Sequence, residues 1–228
     1  SSKKLLESIE FNNVSLSGDT RFDRVEKILK QENSLPFIEE FKNNQYTVVA
    51  GSTWQEGGEF LINYINQSSD EKFIIAPHTI NPKAIQKLKE SIQKDTVLYS
   101  EKEGKDLSEY KVFIVDTIGL LTKIYSYADV AYVGGAFKTG LHNILEPATF
   151  GIPIVIGPEY SKFKEAVDLV ALKGCISVNN QSAFSSIFNK LKINVDFRKE
   201  TGIINDSYIK KNIGATAQIM QYINKQLK

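Results

Sequence analysis

The stretch that decides the fold runs from residue 128 to residue 158 and reads ADVAYVGGAFKTGLHNILEPATFGIPIVIGP. Its two ends, 130–133 and 154–156, are short runs of Val, Ile, Ala and Tyr, which are typical of strands buried on both faces. Between them, 144–150 has apolar residues at the i, i+3, i+4 spacing of a helix. Strand, helix and strand in this order indicate two parallel neighbours in a sheet, joined by a crossover helix.

The same alternation extends along the chain in both directions. We predict strands at 14–17, 46–50, 72–76, 96–99, 112–115, 130–133, 154–156 and 176–178. We predict helices at 21–31, 56–66, 82–93, 118–127, 144–150, 163–172 and 183–191. Residues 197–228 are helical with no strand after them, and Gly214 interrupts the pattern. The pattern predicts one Rossmann-like α/β domain over 1–228, a parallel sheet with helices on both faces and closing helices at 197–228.

The composition excludes several classes of protein. The chain has 228 residues, 42% of them hydrophobic and 24% charged, as expected of a folded globular domain. Its net charge of +1 argues against a protein built mainly to bind nucleic acid. The single cysteine, Cys175, excludes an internal disulfide and favours a reducing compartment. No apolar run reaches the ~18 residues of a membrane helix, and two distant histidines with one cysteine do not make a zinc site.

Ligands of such sheets bind at the carboxyl ends of the strands, so the residues that follow each strand are the candidates for a site. Small and polar residues stand there: Ser52, Thr53, His78, Ser100, Thr117 and Gly119. The run GSTWQEGG at 51–58 could cradle an anion at a helix N-terminus, or form a plain turn with Ser52 or Thr53 as the cap. Thr117, or Asp116 before it, could likewise cap the next helix.

The loop after the strand at 130–133 carries the most specific pattern. Gly134 and Gly135 allow the backbone to approach a ligand closely. His142 and Asn143 are expected in the first turn of the following helix, and Glu146 is expected on the same face as His142. Amide groups at such a helix start can hold a phosphate, and a carboxylate beside them can accept hydrogen bonds from ribose hydroxyls. An incidental pair of side chains four residues apart is the simpler alternative.

These residues resemble the carboxyl-terminal half of the 3-deoxy-D-manno-octulosonic acid (Kdo) transferases. The resemblance rests on DTIG at 116–119, ADVAYVGG at 128–135, HNILEPA at 142–148, GIPI at 151–154, GP at 157–158 and FKE at 163–165. GDTRFDRV at 18–25, AGST at 50–53 and NIGA at 212–215 follow the same order in that family. The similar segments span nearly the whole chain.

The resemblance implies the nucleotide-binding half of a GT-B glycosyltransferase, which transfers Kdo from CMP-Kdo to a lipid A precursor in lipopolysaccharide biosynthesis. It implies that Ser52, His78 and the amides beside His142 hold the CMP phosphate. Glu146 would hold the ribose hydroxyls, and the backbone at Gly119 and Gly134 would contact the base or sugar. No metal or other cofactor is expected.

The resemblance also places an acceptor-binding domain, with the catalytic base, upstream of Ser1. The full-length enzyme is then expected at the cytoplasmic face of the inner membrane, with this part itself soluble. No catalytic residue is predicted in the present chain, so we expect it to bind nucleotide without transferring Kdo. Two alternatives remain at this point: the donor domain of a GT-B enzyme that uses a UDP-sugar, and a non-catalytic module that binds a nucleotide.

Overall fold

A computed structural model describes residues 2–138 and 140–227. Seven strands form one sheet in the order β3-β4-β2-β1-β5-β6-β7, and every neighbouring pair is parallel. The strands are β1 (Thr47–Thr53), β2 (Lys72–Pro77), β3 (Thr96–Leu98), β4 (Val112–Ile114), β5 (Val130–Val133), β6 (Ile154–Ile156) and β7 (Cys175–Ser177).

Helices fill the connections between the strands and close the chain at both ends. They are α1 (Ser2–Glu7), α2 (Thr20–Glu26), α3 (Pro36–Lys42), α4 (Gln55–Gln67), α5 (Pro82–Ser91), α6 (Leu121–Ile124), α7 (Leu145–Thr149), α8 (Lys164–Leu172), α9 (Gln181–Ile193), α10 (Val195–Asn212) and α11 (Ala215–Gln226). Short 3₁₀ turns lie at Lys27–Lys30, Tyr99–Glu101, Leu107–Glu109 and Tyr125–Tyr127.

The strands are apolar throughout because both faces of the sheet are covered. Successive residues of a strand point to opposite faces, and in β1 Val48 and Val49 belong to two different core clusters. The Val49 cluster includes Phe113 of β4, and the Val48 cluster includes Tyr132 of β5. Strands buried on both sides explain why the sequence shows continuous apolar runs rather than alternation.

The order of the strands reverses beside β1. From β1 the chain crosses to β2 on one side, and after β4 it returns to the other side of β1 to form β5. The chain therefore leaves β1 toward one side of the sheet and leaves β5 toward the other, which makes the carboxyl ends of these two strands a switch point. This switch point is where open α/β sheets hold their ligands.

The two ends of the chain are tied together by polar contacts. Arg21 of α2 donates to both carboxylate oxygens of Glu165, at 2.8 and 3.2 Å, and Glu165 is buried. The carboxylate of Asp23, also in α2, accepts hydrogen bonds from the backbone N–H groups of Gly214 and Thr216. The segments at 18–25, 163–165 and 212–215, which carried part of the resemblance, therefore meet in space.

The structure confirms seven of the eight predicted strands and the closing helices, with the break at Gly214. The prediction of a strand at 14–17 is wrong. That segment is irregular and pairs with no strand of the sheet. Leu16 is 71% exposed, so its side chain lacks the burial that the strands of this sheet have on both faces. The helix predicted at 118–127 begins only at Leu121, and the short helices α1 and α3 were not predicted.

Candidate functional site

The end of β1 is distorted where it meets β5. Ser52 has a φ of +50°, which is unusual for a residue with a side chain, and the pairing with β2 shifts register between Gly51 and Thr53. A Cβ added to Gly134 would lie 2.2 Å from the carbonyl oxygen of Ser52. Only glycine permits this approach of two backbones, which brings Ser52 and Thr53 against Gly134. The sequence analysis expected Gly134 to admit a ligand, whereas its neighbour in the structure is the backbone of β1.

Three aromatic rings meet at this point: Trp54 after β1, His78 after β2 and His142 in the loop after β5. The Trp54 indole N–H donates to Nε2 of His142 at 2.7 Å. His78 stacks on both rings, with ring centroids 4.6 Å from Trp54 and 4.3 Å from His142. The chain has one tryptophan and two histidines, so this ring cluster holds every residue of both types.

The ring cluster favours an uncharged His142. Burial of its imidazole, and secondarily the nearby His78, lower the pKa of His142 below 6.5. An imidazole in this state can donate one hydrogen bond and accept another, and its acceptor nitrogen is already used by Trp54. Sequence reasoning identified both histidines but missed Trp54, because an indole after a strand shows no pattern of its own.

Glu146 is held by neighbours on both oxygens. Asn143 donates its side-chain amide to Oε1 at 3.0 Å, and the hydroxyl of Thr122 in α6 donates to Oε2 at 2.9 Å. Burial, and secondarily the charge of Glu146, raises the pKa of Tyr125, which packs against Gly51 of β1. Each carboxylate oxygen keeps a lone pair for a further donor, such as a hydroxyl group of a ligand.

The helix that carries Glu146 begins later than the sequence predicted. α7 starts at Leu145, so His142 and Asn143 precede it, and the expected pairing of His142 with Glu146 on one helix face is wrong. The reason is Pro147: a late start places this proline in the first turn, where backbone N–H groups have no acceptor within the helix. Oδ1 of Asn143 accepts from the N–H of Leu145 and fixes the turn.

The run at 51–58 forms an irregular entry to α4 rather than a simple capped turn. Trp54 occupies the cap position without a side-chain cap bond, so neither Ser52 nor Thr53 caps the helix. Glu56 and Gly57 depart from helical backbone angles, and Gly57 has a φ of +79°. The first backbone N–H groups of a helix have no acceptor within it, and at α4 they come directly after Trp54 of the ring cluster.

The remaining predicted residues lie away from the ring cluster. Ser100 follows β3, which β4 and β2 separate from β1, and both its N–H and its hydroxyl donate to Asp116. Asp116 therefore does not cap a helix, and neither does Thr117, because α6 begins only at Leu121. Thr117 and the exposed Gly119 lie in the loop that leads to α6 and so to Thr122.

Neither a metal centre nor a membrane span is found in the described part of the chain. Within residues 2–138 and 140–227, no three His, Cys, Asp or Glu side chains are grouped so that they could hold a metal ion. Among the same residues, no helix combines the length and apolar character needed to cross a bilayer.

Curated proteins of known name share this sequence pattern. The chain is 30% identical over 164 residues to the 3-deoxy-D-manno-octulosonic acid transferase of Rickettsia typhi, and the match covers 67% of this chain. It is 30% identical over 153 residues to the transferase of the same name from Chlamydia trachomatis serovar D, with 64% of this chain covered. The chain is a relative of the Kdo transferases. No protein-family model matches it.

The sequence similarity extends over only part of the length of those Kdo transferases. The matched segment is 35% of the length of both the Rickettsia and the Chlamydia transferase. The chain therefore spans well under two thirds of the curated relatives that it matches.

Solved structures confirm the fold. The C-terminal CMP-Kdo binding domain of WaaA from Acinetobacter baumannii matches with a TM-score of 0.64 at 19% identity, over 82% of this chain and 96% of that domain. Anabaena Alr3699/HepE in complex with UDP-glucose matches with a TM-score of 0.59 at 14% identity, over 85% and 53%. Both confirm the predicted Rossmann-like α/β fold.

Proposed function

We propose that this chain is the donor domain of a Kdo transferase and binds CMP-Kdo at the switch point between β1 and β5. The observation that carries the proposal is Glu146, fixed by Asn143 and Thr122 at the start of α7, in a chain 30% identical to a Kdo transferase. A fixed carboxylate at the switch point is the group that binds the hydroxyls of a nucleotide ribose in such sheets.

The phosphate of CMP-Kdo would lie between the ring cluster and the entry to α4. Ser52 and Thr53 would offer N–H and hydroxyl donors, and His78 and His142 would offer ring N–H groups. When the bond between Kdo and the phosphate breaks, negative charge grows on the CMP phosphate. Donors fixed before the reaction stabilise that charge, and each such donor contributes about 3–4 kcal/mol in other enzymes.

Two further contacts of the donor follow, one from the loop between β4 and α6 and one from the end of β5. Backbone at Gly119, with Thr117 in the same loop, would contact the cytosine or the sugar, since this loop leads to Thr122, which holds Glu146. Backbone at Gly134, after β5, would supply the other contact. The charge of the phosphate is met by protein N–H groups, so we propose that donor binding needs no metal.

The whole protein would use a second domain for the acceptor. That domain would bind a lipid A precursor at the cytoplasmic face of the inner membrane and supply the base that activates the acceptor hydroxyl. The present chain would then bind CMP-Kdo without transferring Kdo by itself. Transfer of Kdo by purified residues 1–228 to a lipid A precursor would contradict this division of roles.

The test is calorimetric titration of the chain with CMP, UMP and UDP, each in the presence and absence of EDTA. We expect CMP to bind more tightly than UMP or UDP, equally well with EDTA, and to lose affinity in the Glu146→Ala variant. Glu90→Ala is the matched control, because Glu90 is an exposed carboxylate in the last turn of α5, which returns from the carboxyl edge of the sheet to the opposite edge. A preference for UDP would assign the site to a UDP-sugar instead, and no binding of any nucleotide would overturn the proposal.

A further inference from the structure

We propose that Trp54 is a positioning residue that fixes His142 as the neutral tautomer with its proton on Nδ1, so that this N–H donates to a phosphate oxygen of CMP. The inference deepens the proposed function and rests on it for the identity of the ligand. The state of the imidazole, however, follows from the protein alone and can be measured without any nucleotide.

The hydrogen bond between the two rings determines the tautomer. The indole N–H of Trp54 can donate a hydrogen bond but cannot accept one. Nε2 of His142, 2.7 Å away, must therefore present its lone pair and carry no proton. A neutral imidazole has one ring proton, which then has to be on Nδ1. The imidazolium form would place two N–H groups against each other, so the contact with Trp54 also disfavours protonation of His142.

The neighbours of the imidazole fix its orientation. The rings of Trp54 and His142 are close to parallel, with an angle of 10° between their planes, and His78 stacks on both. The Cδ2 edge of His142 faces Gly135, where an added Cβ would lie only 2.8 Å from Cδ2. Because Nδ1 is on the opposite edge of the ring from Cδ2, the N–H points away from the backbone that follows β5.

Trp54 links this imidazole to the start of α4. It occupies the N-cap position of α4 yet makes no side-chain cap bond, and its indole N–H donates across the switch point to His142 instead. Trp54 thus joins the start of α4, where backbone N–H groups of a helix have no acceptor within it, to the donor of His142. A phosphate group can accept hydrogen bonds from both sides, as at other helix starts that bind anions.

The first arm of the test measures the tautomer in the ligand-free chain by ¹⁵N NMR of the imidazole nitrogens. We expect His142 of the wild-type chain to be protonated on Nδ1. In Trp54→Phe, which keeps an aromatic ring for stacking but lacks the N–H, we expect a mixture of both tautomers. Trp54→Gln, whose amide can donate again, should restore the wild-type pattern. An unchanged tautomer in Trp54→Phe would overturn the proposal.

The second arm measures affinity with CMP and with cytidine, which lacks the phosphate. Loss of one positioned donor should weaken CMP binding about three- to ten-fold in Trp54→Phe and leave cytidine binding unchanged. Equal losses for CMP and cytidine would overturn the assignment of the phosphate. If wild-type chain bound no CMP, the proposed function would fail, whereas the NMR arm would still decide what Trp54 does to His142.

Discussion

The carboxyl ends of the strands carry two polar regions that differ in construction. At the inner region, between β1 and β5, side chains from four separate loops and helices converge: Trp54, His78, Thr122 and Glu146 are each held in place by a neighbour. At the outer region, after β3 and β4, Ser100 and Asp116 satisfy each other. Both regions are polar loops at the same edge of one sheet.

The two regions differ in how much hydrogen-bonding capacity their polar groups have unused. In the inner region the backbone is distorted at Ser52 and closely packed at Gly134, which costs stability that a plain turn would not. In the outer region the hydroxyl of Ser100 is used by a carboxylate of the same surface. A binding site in this fold is therefore recognised by fixed groups with unused hydrogen-bonding capacity, not by polar residues at strand ends alone.

The largest effect is expected at Gly134. In Gly134→Ala the new methyl group meets the carbonyl oxygen of Ser52 at 2.2 Å, and backbone cannot move aside as a side chain can. Unfolding in urea should show a loss of about 1–3 kcal/mol or more, and CMP binding should disappear. Gly58→Ala is the control, because nothing lies within 4 Å of its added Cβ, and it should be neutral or stabilising by up to ~1 kcal/mol. Equal behaviour of the two variants would contradict the close approach of the two backbones.

Glu146 should have the next largest effect, on binding rather than on folding. Glu146→Gln removes the charge that accepts the ribose hydroxyls, and loss of hydrogen bonds to a charged group should weaken CMP binding by roughly ten- to a hundred-fold. 2′-Deoxy-CMP, measured by the same calorimetry, should bind the wild-type chain more weakly than CMP does. In Glu146→Gln that difference between the two nucleotides should shrink. A difference that persists unchanged would place the ribose elsewhere.

A smaller effect is expected on the stability of the folded chain at low pH. Because the pKa of folded His142 is below 6.5, the unfolded chain takes up this proton first, and the folded state loses stability as the pH falls below 6.5. Trp54 is the single tryptophan, so its fluorescence reports directly on the ring cluster. We expect a fluorescence transition with its midpoint below pH 6.5. His78→Asn should shift that midpoint upward, since His78 contributes to the lowered pKa. A wild-type midpoint at or above 6.5 would contradict the buried, neutral imidazole.

The smallest effect is expected in the outer region. Ser100→Ala removes the hydrogen bond of the hydroxyl to Asp116 and should lower stability by about 0.5–1.5 kcal/mol. Its affinity for CMP should stay within about two-fold of the wild-type value, because the side chain lies three strands from the switch point. A ten-fold loss of affinity would extend the site across β4 and remove the contrast between the two regions.

The strands of the sheet could be predicted from the sequence because the pattern that marks a buried strand is local. Short apolar runs of β-branched residues are sufficient to mark strands buried on both faces, and seven of them were found. The false strand at 14–17 has the same local pattern, but it lies outside the sheet, and only the packed structure can show that. Pro147 indicates the late start of α7. Because proline is tolerated in the first turn of a helix, its position could have been used to predict where this helix begins.

The site was predicted less completely because its contacts join distant parts of the chain. Gly134, Glu146 and the residues around them belong to one local pattern, so they could be found from the sequence. The contact of Trp54 with His142 spans 88 residues, and that of Thr122 with Glu146 joins two different crossover helices. No periodicity or spacing indicates such pairs, which arise only when the strands take their order in the sheet.

We propose above that the donor nucleotide binds at the switch point between β1 and β5. This proposal is tested most directly by ¹H–¹⁵N NMR of the full chain during titration with CMP, with amide shifts followed for every strand end. We expect shifts concentrated at residues 52–58, 117–122 and 134–146, with those at 99–110 unmoved. Shifts concentrated at 99–110, or no shifts at any strand end, would contradict it.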